Sequence, residues 1–290
     1  MPRGPSLTAE WVCALRVLER ARPPAHRVLD DPLAERFLRP PLRRLLAWLV
    51  DPPLLRGLPA SWPRLPADPV TNFIAARHRC MDDALVDAAR DGVEQVVLLG
   101  AGYDTRAWRF ADVLGDRPVW ELDFPATQAR KRAILARQPD LDPDRIRFVP
   151  VDFIHQDFAE RLVAAGFPIG ARTLFIWEGV SMYLDEDTVA RTLESLRRLS
   201  SAGSRIVADF WYEPAGHPLW ILAHRYGARM FGTIGEPLRF QLDPSAASAF
   251  LARHGFRLDT RLDTDDLAAR YAMGGRILFA PLFLAHATAV

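Results

Sequence analysis

The stretch that most constrains the fold is Gln95-Val-Val-Leu-Leu-Gly-Ala-Gly-Tyr-Asp-Thr-Arg106. Val96 to Leu99 is an apolar run of the length of one buried strand. Gly100 and Gly102 follow it, and Asp104-Thr105-Arg106 opens an amphipathic stretch carrying Ala107, Trp108, Phe110, Val113 and Leu114. Strand, glycine turn and helix form the first unit of a nucleotide-binding α/β sheet, where glycine lets the backbone bend sharply and come close to a ligand. The dinucleotide fingerprint Gly-x-Gly-x-x-Gly would have a third glycine, and Thr105 stands in its place. A turn without the glycine that seats a pyrophosphate suits S-adenosylmethionine (SAM) better than NAD or FAD. A glycine-rich turn with no ligand is the bland alternative.

The region downstream repeats the unit. Strands are expected at Pro118–Leu122, Ile146–Val151, Arg172–Trp177 and Ser204–Phe210, alternating with helices over 105–114, 125–137, 157–165 and 186–199. Five strands alternating with helices predict a parallel, doubly wound α/β sheet. Such sheets bind ligands beyond the carboxyl ends of their strands. That rule selects Gly100, Asp123, Asp152 and Glu178, each just past a predicted strand. Asp123 lies about 20 residues beyond the glycine turn, the interval at which a carboxylate meets a ribose diol; Glu121, two residues earlier on the same face, is its rival. Asp152-Phe153 could hold adenine, through a carboxylate on the amine and a ring against the base. Two further strands, Phe256–Leu262 and Ile277–Leu284, flank a short helix around Asp265–Tyr271.

Ahead of the sheet, residues 8–20 read as a helix, Asp31-Pro32 as the start of another, and Arg43–Val50 as a third. Pro52 to Pro69 holds six prolines and reads as an irregular connection. Residues 70–90 form a helix with Arg77, Arg79, Asp82 and Asp83 on it, either a solvated face or a source of one arginine for the site. Residues 211–243 break the alternation and are rich in aromatic side chains. They would either roof a substrate pocket or supply core for an extra helix.

The remaining features exclude rather than assign. A formal net charge of +1 leaves no basic footprint for nucleic acid. No apolar run approaches membrane-spanning length, and Met1 to Glu10 lacks the apolar centre of a signal peptide, so a cytoplasmic protein is expected. Cys13 and Cys80 form neither a metal spacing nor a disulfide framework, and no metal is expected.

Four runs together carry a resemblance. Val97-Leu-Leu-Gly-Ala-Gly-Tyr-Asp-Thr-Arg-Ala-Trp-Arg109, Trp120-Glu-Leu-Asp-Phe-Pro125 with Lys131-Arg132, Trp177-Glu-Gly-Val-Ser-Met-Tyr-Leu184 and Ala76-Arg-His-Arg-Cys-Met-Asp-Asp83 resemble the motifs of the leucine carboxyl methyltransferase family, which includes phosphatase-methylating enzymes and bacterial polyketide O-methyltransferases. The resemblance implies a class I SAM-dependent methyltransferase fold, a seven-stranded Rossmann-like sheet with a reversed last hairpin. It implies a single domain over 1–290, with an N-terminal helical cap over 1–92 and a core over 93–290 that carries a 211–243 lid. It implies that Gly100 and Gly102 line the cofactor, Asp123 holds its ribose, Asp152 and Phe153 its adenine, Arg77 its methionine carboxylate and Glu178 its ammonium. The family's N-terminal lysine has no clear match, and Arg20 is a possible stand-in. The expected reaction is in-line transfer of a methyl group to a carboxylate or hydroxyl of a small molecule, polyketide-like in one version. Tyr183 would touch the acceptor; if the acceptor is a hydroxyl, His217, His155 and Tyr183 are the candidates for a base. Rival readings are an NAD-dependent oxidoreductase on a related sheet and a protein that binds SAM or a metabolite without chemistry.

Overall fold

The computed structural model describes residues 4–50, 69–213, 232, 237–273, 275–278 and 281–290. Its strands are β1 (Gln95–Leu99), β2 (Val119–Asp123), β3 (Ile146–Pro150), β4 (Thr173–Trp177), β5 (Arg205–Trp211), β6 (Phe256–Leu262) and β7 (Leu282–Ala289). They form one seven-stranded sheet in the order β3-β2-β1-β4-β5-β7-β6. The first five are parallel, with Val96 opposite both Val119 and Leu174. β7 enters antiparallel against β5, and β6 antiparallel against β7, with a bulge between Leu258 and Thr260. This is the reversed hairpin that the family resemblance implies.

The sheet is buried on both faces, which is why its central strands are continuously apolar. Val97 and Leu99 point to one face with Trp120, Leu122, Phe175 and Trp177, beneath helices Phe158–Ala164, Glu186–Leu199 and Ala247–Arg253. Val96 and Leu98 point to the other with Val119, Leu174 and Ile176, beneath Pro69–Arg90 and Thr264–Arg270. A third cluster joins the N-terminal helices Leu7–Arg20 and Pro40–Val50 to the sheet domain. In it Cys13, Ala14, Phe37 and Leu46 pack with Tyr103 and Leu135.

Several elements differ from expectation. Asp31-Pro32 starts no α-helix; the chain makes one 3-10 turn, Ala34–Phe37. Asp31 Oδ1 does accept the Leu33 and Ala34 N–H groups, as a cap would. Its Oδ2 is held by Arg16 and Thr105, which anchors the residue in tertiary contacts rather than at a helix end. The expected helix over 105–114 is two pieces, Arg106–Arg109 and Ala111–Leu114, because Phe110 leaves helical angles at φ −112° and ψ 28°. Asp243-Pro244 reads in sequence as a helix start, but the helix begins only at Ala247, and Asp243 bonds Ser245 instead. The last strand runs later than Ile277–Leu284 because β6 partners reach Thr288 and Ala289. Pairing, not apolarity, sets its end. Residues 51–68, within the expected proline-rich connection, lie outside the described residues, as do 214–231 and 233–236 of the 211–243 segment.

Candidate active site

A cleft of about 200 Å³ opens over the carboxyl ends of the parallel strands. Its floor is the glycine turn after β1. Gly100 and Gly102 adopt φ +66° and +52°, the left-handed region that disfavours side chains. A methyl group on Gly100 would lie 2.3 Å from Val180 Cγ2, and one on Gly102 would lie 3.1 Å from Ala9 Cβ. The turn is fastened to β2, since the N–H groups of Gly100 and Ala101 donate to the Leu122 carbonyl at 2.7 and 3.1 Å. Asp123, the last residue of β2, accepts from the backbone N–H of Gly102 and, at 2.6 Å, from that of Phe124. Its carboxylate is thereby oriented at the cleft wall.

Past β3, Asp152 and Phe153 line the same cleft. Asp152 accepts from the Ile154 N–H at 3.0 Å and from His155 Nδ1 at 2.9 Å. Burial opposes its ionisation, but these donors hold its carboxyl below the usual range. The Phe153 ring packs on Phe158 at 5.8 Å. Past β4 come Glu178, Gly179, Val180 and, on the 3-10 turn Ser181–Tyr183, Tyr183. Arg77, Gly100, Gly102, Asp123, Asp152, Phe153, Glu178 and Tyr183 therefore all line one cleft. His217 lies outside the described residues. His155 is exposed and bonded to Asp152 at the β3 flank, away from Tyr183 past β4.

Glu178 is the centre of a buried charge network. Arg77 Nε donates to Glu178 Oε1 at 3.1 Å and Arg77 Nη1 to Asp209 Oδ2 at 2.8 Å. Arg106 Nη2 donates to Glu178 Oε2 at 2.9 Å, and Arg106 also binds Asp82 and Asp104. His78 lies in the same knot. Its Nδ1 lies 3.0 Å from Glu178 Oε2 and 2.9 Å from Arg106 Nη2, and its Nε2 lies 3.1 Å from Arg109 Nη2. Burial and the adjacent Arg106 lower the His78 pKa. Burial also works against the Glu178 charge, yet His78, Arg106 and Arg77 hold its carboxyl well below the usual carboxylate range. His78, Asp104 and Glu178 approach within 4.8 Å of one another, but the Arg106 guanidinium already binds both carboxylates.

Two expectations change here. Arg77, expected to hold the methionine carboxylate, has Nε and Nη1 engaged by protein carboxylates; Nη2 makes no hydrogen bond among the described residues. Arg20, the stand-in for an N-terminal cation, points outward and pairs with Asp30 at 3.1 Å. One turn earlier on the same helix, Arg16 lines the cleft. It donates to Asp31 at 2.7 Å and to the Tyr103 carbonyl at 2.7 Å, and its buried Nε has no hydrogen-bond partner among the described residues. The sequence signal for Arg16 was available in the i, i+4 spacing from Arg20, but nothing in the pattern said which turn faces inward.

Glu121, the rival to Asp123, is completely buried and bonded through both oxygens to Lys131 at 2.7 and 2.8 Å. It supports the strand and does not line the cleft.

Fold and cleft together define a class I SAM-dependent methyltransferase. The model of the family described as leucine carboxyl methyltransferase matches residues 9–197, and the chain belongs to that family. A putative SAM-dependent methyltransferase from Mycolicibacterium smegmatis is 30% identical over 272 residues, covering 90% of this chain and 85% of the relative. One from Streptomyces avermitilis is 32% identical over 281 residues, covering 97% and 91%. Among solved structures, a DUF574-family protein from Streptomyces avermitilis aligns with a TM-score of 0.61 at 15% identity, over 96% of this chain and 97% of that one. Magnesium protoporphyrin IX methyltransferase from Synechocystis with bound S-adenosylhomocysteine (SAH) aligns with a TM-score of 0.50 at 12% identity, over 82% and 91%. SAM is the cofactor. The residues suit it: an unpartnered buried guanidinium nitrogen at Arg16, a carboxylate at the end of β2, and a glycine floor that a side chain would fill.

Proposed function

We propose that this methyltransferase acts on an oxygen, carboxylate or hydroxyl, of a small molecule, with a polyketide-like metabolite as one acceptor type. What supports an oxygen acceptor is membership of the leucine carboxyl methyltransferase family; the order of polar groups along the cleft supports the cofactor's placement. Asp152, Asp123, Gly100 and Glu178 lie at or just past the ends of strands β3, β2, β1 and β4, which are consecutive in the sheet. Three strand spacings of about 4.8 Å give a row of about 14 Å, long enough for an extended nucleoside with an amino-acid tail. In this assignment Asp152 and Phe153 take the adenine and Asp123 accepts from both ribose hydroxyls. Gly100 and Gly102 allow close approach. Arg16 Nε and Arg77 Nη2 face the amino-acid carboxylate, and Glu178 takes the ammonium.

The bound cofactor supplies a methyl group already activated on a sulfonium, so the protein's task is alignment and exclusion of water. Beyond β4, Tyr183 and Val180 border the space left for the acceptor. A carboxylate acceptor is ionised at neutral pH and needs no base; a hydroxyl acceptor would require one, for which His217 is the candidate. We assign residues 211–243 as a lid and 1–92 as a cap on one methyltransferase domain.

The test is SAH release from SAM over a panel of matched carboxylic acids and phenols, with products identified by mass spectrometry. Methyl esters or ethers support the assignment. Transfer confined to nitrogen or sulfur acceptors would remove it. For a phenol, His217→Ala should lower turnover by about 100-fold, the scale of general base catalysis; for a carboxylate it should leave turnover near the parent value.

A further inference from the structure

Three arginines that line the cleft are neutralised inside the protein: Arg16 by Asp31, Arg77 by Glu178 and Asp209, and Arg106 by Asp82, Asp104 and Glu178. Arg239 is different. It lines the same cleft, its side chain is exposed, and it makes no ion pair or side-chain hydrogen bond among the described residues. The carboxylate that feels its charge, Asp185, is committed to capping helix Glu186–Leu199, where it accepts from the Thr188 N–H at 2.8 Å.

The backbone of Arg239 is held on both sides. Its N–H donates to the Met182 carbonyl at 2.7 Å, beside Tyr183. The next residue, Phe240, is buried against Phe210 and Phe250. Leu242 N–H donates to the Trp211 carbonyl at 2.7 Å, tying the segment to the end of β5. A fixed backbone thus presents to the cleft a guanidinium that has no ion-pair or hydrogen-bond partner among the described residues. Val180, Pro237 and Tyr183 line the same cleft and supply apolar surface to it.

We propose that Arg239 is the specificity residue for the acceptor, pairing with a carboxylate on a molecule whose apolar body lies against Val180 and Tyr183. This rests on the methyltransferase assignment and narrows its acceptor to an anionic one. A guanidinium is the fitting group, since its planar fork matches a carboxylate with two parallel donors.

The test uses calorimetric titration of the SAH-loaded full chain with 2-naphthoate and with its neutral counterpart 2-naphthamide. The wild type should bind naphthoate on the order of 10-fold more tightly, the scale of one charge-assisted hydrogen bond. Arg239→Gln should erase that preference while leaving SAH affinity unchanged, which also shows that the variant is folded. Arg239→Lys should restore part of it, because the charge returns without the fork. Equal affinity for the two probes, a preference that survives in Arg239→Gln, or no binding of either probe by a protein that still binds SAH would each overturn the proposal. Failure of the wild type to bind SAH would instead overturn the cofactor assignment beneath it.

Discussion

Asp123 and Glu121 show how much one residue's depth decides. Both are acids on one face of β2, and spacing alone leaves them as rivals. In the structure Glu121 sits mid-strand, opposite Leu98 and Phe148, where burial pushes its carboxyl up to about 7 even though the buried Lys131 pairs with it. Asp123 sits at the strand end with its carboxylate ordered by two backbone N–H groups. Asp123→Ala should weaken SAH binding by about 1–3 kcal/mol through lost charged hydrogen bonds; unchanged affinity in calorimetry would remove its ribose role. Asp31 makes a different prediction. Burial opposes its ionisation, but Arg16 and Arg109 bring its pKa from 3.8 down to about 2. A depressed acid contributes stability above its unfolded pKa and loses it as pH falls through the folded one. Asp31 should therefore supply about 2 kcal/mol at neutral pH, lost between roughly pH 4 and pH 2. Urea unfolding at stepped pH should show this component in the wild type and not in Asp31→Asn; equal slopes would count against it.

At the level of elements, the glycine turn and the β4 loop are one unit. Gly100 is at positive φ and Val180 presses against the place where its side chain would be. Gly100→Ala should therefore cost about 1–2 kcal/mol from backbone conformation alone, and more from the contact with Val180. Adding Val180→Ala should recover only the contact part. Full recovery in thermal unfolding would mean that the turn carries no conformational strain. The strand–turn–helix unit was legible because period, glycine and length all agree there. The break at Phe110 and the inward turn of Arg16 were not, because both depend on what a helix packs against. The charge network was half legible: Arg77 and Glu178 were picked out singly, yet their pairing joins residues about a hundred positions apart. His78, Asp82 and Arg106 were hidden for the same reason, since charged residues on a helix read as a solvated face until a second element buries them.

For the whole molecule, the cofactor cleft lies between the strand ends and the N-terminal helices, with Ala9 and Arg16 on one wall and Asp123 and Glu178 on the other. A ligand that bridges both should stabilise the fold by mass action. SAH at about 100 times its dissociation constant should add about 2.7 kcal/mol, or roughly 5–10 °C in thermal unfolding for a domain of this size, while NAD at the same concentration should add nothing. An equal shift with NAD would contradict the cofactor assignment. What the sequence by itself determined was the alternation of strands and helices and the residues at each strand end, because a buried parallel sheet needs continuous apolar runs and its ligands meet the chain where those runs stop. Only the tertiary structure decided which acid stays outside the core, which arginine turns inward, how the last strand pairs, and that Arg239 alone among the cleft-lining arginines lacks an ion-pair partner among the described residues. Those outcomes depend on burial and on charges brought together from distant parts of the chain, and local spacing contains neither.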